Sequence, residues 1–250
     1  MLRLANKVAV ITGGNSGLGK AAALLFAKQG AKVVIGDITK ADNVVDKIRS
    51  EGGEAVAVKT DVSNDSDCHK LIKAAVDNYG KLEILVNNAG VSDTGMNPIT
   101  KYLDKDASIL FKINELGSMQ CTRAAIPLMK KGSSIINVAS VVGVSGGGGA
   151  AYVASKGAII AVTKHTAMLL AEKQIRCNAI CPGQILTPMN ASTDEIKIDK
   201  EMFETMKKHS DITLPASTTE DIANILLFFA SDESRAITGQ VLVTDYGANL

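Results

Sequence analysis

Short runs of apolar, largely β-branched residues alternate with longer stretches of helical periodicity along nearly the whole chain. The run Val8-Ala9-Val10-Ile11 reads as a buried strand, and an Ala/Leu-rich helix follows over 18–29, ending at Gly30. Strands are predicted at 32–36, 54–59, 82–86, 135–138, 175–180 and 240–244. Helices are predicted at 41–50, 65–79, 103–129, from Tyr152 and Lys156 to about 172, and at 219–230. Gly80 stops the third helix, Pro127 lies near the end of the fourth, and Thr219 reads as the cap of the last. Strands without polar alternation are buried on both faces, and regular strand-helix alternation implies right-handed crossovers in one parallel sheet. The expected architecture is therefore α/β, a Rossmann-like doubly wound sheet of seven parallel strands with helices on both faces. No composition break marks a second domain, so residues 1–250 are read as one.

Two hundred and fifty residues with 46% hydrophobic content suit one large α/β domain. A formal charge of +1, with both signs interspersed, argues against a dedicated nucleic-acid or membrane surface. No apolar run approaches the ~20 residues of a membrane span. The segment Met1-Leu2-Arg3-Leu4-Ala5-Asn6-Lys7 lacks the apolar core of a signal peptide, so a cytoplasmic protein is expected. Cys68, Cys121, Cys177 and Cys181 form no C-x-x-C pair and have no histidine at ligand spacing; no metal site is expected. Cys177 and Cys181 read as small hydrophobes, and His69, His165 and His209 as surface or core residues.

Candidate chemistry begins at Tyr152 and Lys156, whose spacing puts a phenol and an ammonium one helical turn apart on one face. A cation beside a phenol favours the phenolate and lowers its pKa from roughly 10. Ser140 closes an apolar strand upstream. The loop Thr12-Gly13-Gly14-Asn15-Ser16-Gly17-Leu18-Gly19 joins the first strand to its helix, and its glycines let the backbone turn tightly against a pyrophosphate at a helix N-terminus. Asp37 ends the second strand, where a carboxylate binds both adenosine ribose hydroxyls and repels a 2′-phosphate. The glycine loop contains no Arg or Lys and Lys40 is the nearby base, which favours NAD as cofactor.

Taken with Asp61-Val62, Asn87-Asn88-Ala89-Gly90, Asn114, Pro182-Gly183-Gln184-Ile185-Leu186-Thr187 and Thr238-Gly239-Gln240, these motifs resemble in order those of the short-chain dehydrogenase/reductases. The resemblance implies a catalytic set of Asn114, Ser140, Tyr152 and Lys156. It implies cofactor contacts from Gly13, Asn15, Ser16, Gly17, Leu18, Gly19, Asp37, Asp61, Val62, Asn88, Ala89, Gly90, Tyr152, Lys156, Pro182, Gly183, Ile185 and Thr187. In that scheme Tyr152 exchanges a proton with the substrate oxygen, Ser140 donates to it, and Lys156 lowers the Tyr152 pKa and binds the nicotinamide ribose. Asn114 would hold a water linking Lys156 to solvent. A homotetramer is implied, with the helix ending near Met129 and the Tyr152 helix in the contacts.

The chain departs from the family pattern at Asp245-Tyr246-Gly247, where Asp-Gly-Gly is usual, and at Leu214-Pro215-Ala216-Ser217-Thr218, which replaces an Arg-containing turn. The run Gly146-Gly147-Gly148-Gly149 reads either as a surface loop or as a roomy, mobile pocket edge. Residues 189–213 match the variable substrate lid, where Met189, Ile196, Ile198, Met202, Phe203 and Met206 suggest an apolar stripe. The expected activity is NAD-dependent interconversion of a secondary alcohol and a ketone. The alternatives are a 3-oxoacyl thioester reductase, which Asp37 disfavours because that role usually takes NADPH, and a non-catalytic dinucleotide sensor.

Overall fold

The computed structural model describes residues 2–93, 95–187 and 198–250. Its seven strands are β1 (Val8–Thr12), β2 (Lys32–Asp37), β3 (Glu54–Lys59), β4 (Leu82–Asn87), β5 (Met129–Val138), β6 (Arg176–Pro182) and β7 (Val241–Thr244). They form one parallel sheet in the order β3-β2-β1-β4-β5-β6-β7. Helices α1 (Gly17–Lys28), α2 (Asp42–Ser50), α3 (Asp65–Tyr79), α4 (Asp104–Leu110), α5 (Gly117–Ala125), α6 (Val142–Ser145), α7 (Ala150–Leu170), α8 (Lys200–Lys207) and α9 (Thr219–Ala230) connect or flank them. No helix among the described residues is long and apolar enough to cross a membrane.

The period-two geometry of the strands divides the core. Val8 and Val10, with Leu85, Ile135 and Cys177, face Leu71 of α3, Cys121 of α5 and Leu170 of α7. Their neighbours Ala9 and Ile11, with Val86, Ile136 and Ile180, face Phe26 of α1, Ile48 of α2 and Leu226 of α9. Each fully buried Leu, Ile or Phe contributes about 1.5–3 kcal/mol. A polar ladder crosses the centre of the sheet: Asn87 Nδ2 donates to Asn137 Oδ1 at 2.8 Å and to Thr122 Oγ1 of α5 at 3.0 Å. Asn137 Nδ2 donates in turn to Thr163 Oγ1 of α7 at 2.8 Å, so the ladder fixes two helices against two strands.

Several boundaries differ from the sequence expectation. The helix expected over 103–129 is α4, a π-helical turn at Phe111–Leu116, α5, and a short 3₁₀ turn at Ile126–Leu128 that carries Pro127. The chain has already entered β5 at Met129, which pairs with Leu82; the next pairing is Ser134 with Ile84, so exposed Lys130, Lys131 and Gly132 bulge out between. The edge strands β3 and β7 are not buried on both faces. The cap of α9 is Thr218 and not Thr219: Thr218 Oγ1 accepts from Asp221 N at 3.1 Å, while Asp221 Oδ2 accepts from Thr218 N at 2.8 Å. The Tyr152 helix stops at Leu170, and β6 runs on through Pro182.

From β1 the chain moves outward to β2 and β3, then returns to lay β4 on the other side of β1. Loops leaving β1 and β4 therefore diverge, and a cleft opens at the carboxyl ends of these strands.

Candidate active site

The cleft has a volume of about 370 Å³ and runs from the glycine loop and Asp37 to Ser140, Tyr152 and Lys156. At its phosphate end Gly13 and Gly17 have φ of +67° and +51°, a region that side-chain-bearing residues seldom occupy. Gly19 does not line the cleft; a Cβ there would overlap Gly13 O, so its role is to let α1 close against the loop. Ser16 caps α1 in extended conformation without a side-chain bond to the helix, which leaves the first-turn N–H groups facing the cleft. That arrangement fits a pyrophosphate.

Asp37 is aimed by three donors. Its Oδ2 accepts from Asn15 N at 3.0 Å, and its Oδ1 accepts from Thr39 N and Oγ1 at 3.0 and 2.9 Å. Asn15 thus stands behind the wall, with its side chain on Thr39 Oγ1 at 2.8 Å, and does not line the cleft. Asn88 lines it but spends its amide on the glycine loop, donating to Thr12 O at 2.9 Å and Gly13 O at 3.2 Å. Asp61 Oδ1 accepts from Ser63 N at 2.9 Å. Val62 is buttressed by Gly117, where a Cβ would sit 2.8 Å from Val62 Cγ2.

At the chemical end, α7 presents Tyr152 and Lys156 one turn apart, and Ser140 hydrogen-bonds the phenol. Lys156 is buried; its Nζ donates to Val138 O at 3.1 Å and lies 5.7 Å from the Tyr152 ring centroid. The expected lowering of the phenol by Lys156 is not what this geometry produces. Burial raises the Tyr152 phenol above its ordinary range, and the Ser140 bond offsets part of that rise. Burial likewise lowers Lys156 to about 8, because a low-dielectric wall disfavours the ammonium.

Asn114 lies in the π-helical turn and does not line the cleft. Its Oδ1 accepts from Val91 N at 2.8 Å, and its Nδ2 donates to Val91 O at 3.0 Å and Ser155 Oγ at 3.1 Å. Its carbonyl accepts from Ser118 Oγ at 2.8 Å. The side chain therefore clamps the loop after β4 to α7. Gly90 permits this convergence, since a Cβ there would lie 3.0 Å from Asn114 Oδ1 and 3.5 Å from Lys156 Nζ.

Every other residue expected at the cofactor lines the cleft, including Pro182, Gly183, Ile185 and Thr187. Gly183 is required by close packing, as a Cβ would meet Asp245 Cβ at 2.6 Å. Wall residues not foreseen are Gly36, Ile38, Thr60, Val91, Ile113, Val138 and Ala139. Ile38 carried a usable signal, an apolar side chain directly after Asp37 that is 62% exposed. Within the four-glycine run Gly146 is exposed with open space around it, as in a surface loop, whereas a Cβ on Gly147 would meet Met206 of α8, one on Gly148 Val142 and Val153, and one on Gly149 Asp93 and Met96. Ile198, Met202, Phe203 and Met206 are half-buried and none lines the cleft, while Met189 and Ile196 lie outside the described residues.

A family model described as enoyl-(acyl carrier protein) reductase matches residues 13–249. A 3-oxoacyl-(acyl-carrier-protein) reductase of Thermotoga maritima is 37% identical, the match covering 98% of this chain and 99% of that one. A 2,5-dichloro-2,5-cyclohexadiene-1,4-diol dehydrogenase of Sphingobium indicum is 38% identical over 98% of this chain and 97% of its own. A short-chain dehydrogenase of Burkholderia cenocepacia, solved in complex with NADP, superposes with a TM-score of 0.88 at 28% identity, covering 99% of this chain and 100% of that one. The chain is a short-chain dehydrogenase/reductase. As a short-chain dehydrogenase/reductase it is an oxidoreductase that binds a nicotinamide dinucleotide, and the phosphate end of the cleft fits that group.

Burial of Lys156 has a consequence for stability. Its folded pKa of about 8 lies below the ordinary 10.5, so the native state binds this proton more weakly than the unfolded chain. The penalty is full below pH 8 and is relieved as pH rises from about 8 to about 10.5. In cofactor-free protein, Lys156→Met is expected to be more stable than the parent at pH 7, by up to about 3 kcal/mol. The advantage shrinks at pH 10. Urea unfolding at both pH values measures it, and an advantage independent of pH would contradict the assignment.

Proposed function

We propose that the protein is an NAD-dependent dehydrogenase/reductase that interconverts a secondary alcohol and a ketone. The reading rests on Ser140, Tyr152 and Lys156 converging at one end of a dinucleotide cleft whose other end is marked by Asp37. When bound, the nicotinamide supplies or accepts the hydride. Tyr152 holds the proton that the substrate oxygen gains in reduction and takes it back in oxidation. With substrate bound, Ser140 would turn its one O–H from the phenol to the substrate oxygen, where charge develops. Lys156 and the clamp made by Asn114 hold α7 in place beneath the reacting atoms. Tyr152→Phe is expected to cut kcat by at least about a hundredfold with little change in NAD affinity. Nicotinamide absorbance with a panel of alcohols and ketones, together with cofactor titration, tests this; a Phe variant with most of its kcat would remove Tyr152 from the role.

Cofactor choice rests on Asp37. The carboxylate is held by Asn15 and Thr39 and forms no ion pair among the described residues, so a 2′-phosphate would meet an uncompensated negative charge. NAD should bind more tightly than NADP by on the order of a hundredfold, and Asp37→Ser should narrow the gap. Equal affinities in the parent would overturn the choice. A second reading, reduction of a 3-oxoacyl thioester, is favoured by the Thermotoga maritima relative. A 3-oxoacyl thioester in the same panel separates the two.

A homotetramer is part of the proposal. Leu116, Met119, Met168 and Leu169 on the π-helical turn, α5 and α7 are all exposed, an apolar face that a second copy would cover. Light scattering at micromolar concentration should give four times the chain mass of 26.1 kDa; a monomer mass would refute it.

A further inference from the structure

The end of β2 is joined to the glycine loop through the backbone, Gly13 N–H donating to Gly36 O at 2.7 Å. What could still move there is the side chain of Asp37, which lines the cleft, is half-buried and turns on two single bonds. A charge that can turn aside discriminates little, because a 2′-phosphate entering the cleft would push it toward solvent. Three donors oppose that turn, and Thr39 supplies two of them: its N–H at 3.0 Å and its hydroxyl at 2.9 Å, both on Oδ1. The third, the N–H of Asn15, holds Oδ2 at 3.0 Å. An ionised carboxylate can only accept, so the Thr39 O–H points to Asp37 and the Thr39 oxygen accepts from Asn15 Nδ2 at 2.8 Å. The direction of donation from Asn15 through Thr39 to Asp37 is therefore fixed, and each bond polarises the next. The Thr39 N–H also closes a tight turn around Ile38, the apolar wall residue between the two.

Resting on the NAD reading above, we infer that Thr39 is a positioning residue that sets cofactor choice by locking the Asp37 carboxylate into the cleft wall. Thr39 itself does not line the cleft and acts only through Asp37. With its hydroxyl in place, the carboxylate yields to a 2′-phosphate only by breaking three charge-assisted hydrogen bonds. Without that hydroxyl, Asp37 keeps its charge but loses the bond that links it to Asn15 Nδ2, and it can swing aside and admit NADP. Cofactor choice thus depends on how firmly the carboxylate is held as well as on its presence.

The test is a set of equilibrium titrations giving Kd for NAD and NADP, repeated with 5′-AMP and adenosine 2′,5′-bisphosphate. The two fragments carry no nicotinamide and report the adenosine end of the cleft apart from any turnover. Thr39→Val keeps the side-chain shape and the backbone N–H but removes the hydroxyl, and should shrink the preference for NAD over NADP about tenfold. The fragment pair should shift by the same factor, and Thr39→Ser should keep the parent ratio. In an Asp37→Ala background Thr39→Val should leave the ratio unmoved, because the carboxylate it acts through is gone. A merely structural role predicts equal losses for both cofactors with a lower Tm, and that result would overturn the inference. So would a full effect of Thr39→Val in the Asp37→Ala background. A parent that prefers NAD, with a ratio unchanged in Thr39→Val, sinks the inference and leaves the NAD reading standing. A parent that binds NAD and NADP equally removes the NAD reading and this inference with it.

Discussion

Asn88 ties together the two strands that part at the centre of the sheet. Its amide donates to Thr12 O and Gly13 O, and its backbone N donates to Thr12 Oγ1 at 3.0 Å. Ala89 N reaches the same hydroxyl at 3.0 Å. That knot holds the glycine loop in its positive-φ path and sets the direction in which the chain leaves β4. Two residues on, Gly90 passes under Asn114 and Lys156, and Val91 is pinned by both ends of the Asn114 amide. Asn114 then reaches Ser155 on α7, so the phosphate loop and the proton-transfer groups are joined by one short run of hydrogen bonds. Loosening Asn88 would disturb both ends of the cleft at once.

The electrostatics follow from the same close packing. Burial acts on Tyr152 and Lys156 in opposite directions, raising the phenol and lowering the ammonium, and each shift favours the neutral form. A neutral phenol can donate a proton and a phenolate can accept one. Burial also raises the Cys177 and Cys181 thiols, to about 12 and about 11, which keeps them unreactive beside this chemistry.

Much of the architecture was legible because its signals are local. Apolar runs between helical stretches, glycines after β1 and the Tyr152–Lys156 spacing each act within a few residues. What escaped depends on neighbours distant in sequence or on backbone detail. The π-helical turn at Phe111–Leu116 hardly alters the side-chain pattern, yet it carries the Asn114 that grips Val91. Adjacent threonines at 218 and 219 are equal as caps until Asp221 selects the first. Lys130 and Lys131 look like a loop although Met129 already pairs with β4. The pKa direction at Tyr152 was misread because spacing reports proximity and not burial.

The substrate side of the cleft shows how a variable region acquires fixed geometry. Asp199 caps α8 by accepting from Met202 N at 2.9 Å, pairs with Lys101 Nζ at 2.8 Å, and donates its own N–H to Gly95 O at 2.8 Å. An exposed ion pair alone contributes little, about 0–1 kcal/mol, but Asp199 adds two backbone bonds to the same point. At the other end of α8, Met206 rests on Gly147. The loop holding Asp93, the glycine run and α8 are thereby linked to one another, and through Asn97 to the start of α7. These contacts meet the cleft through the loop after β4, whose Val91 lines it, while the proton-transfer groups stay on packed helices and strands.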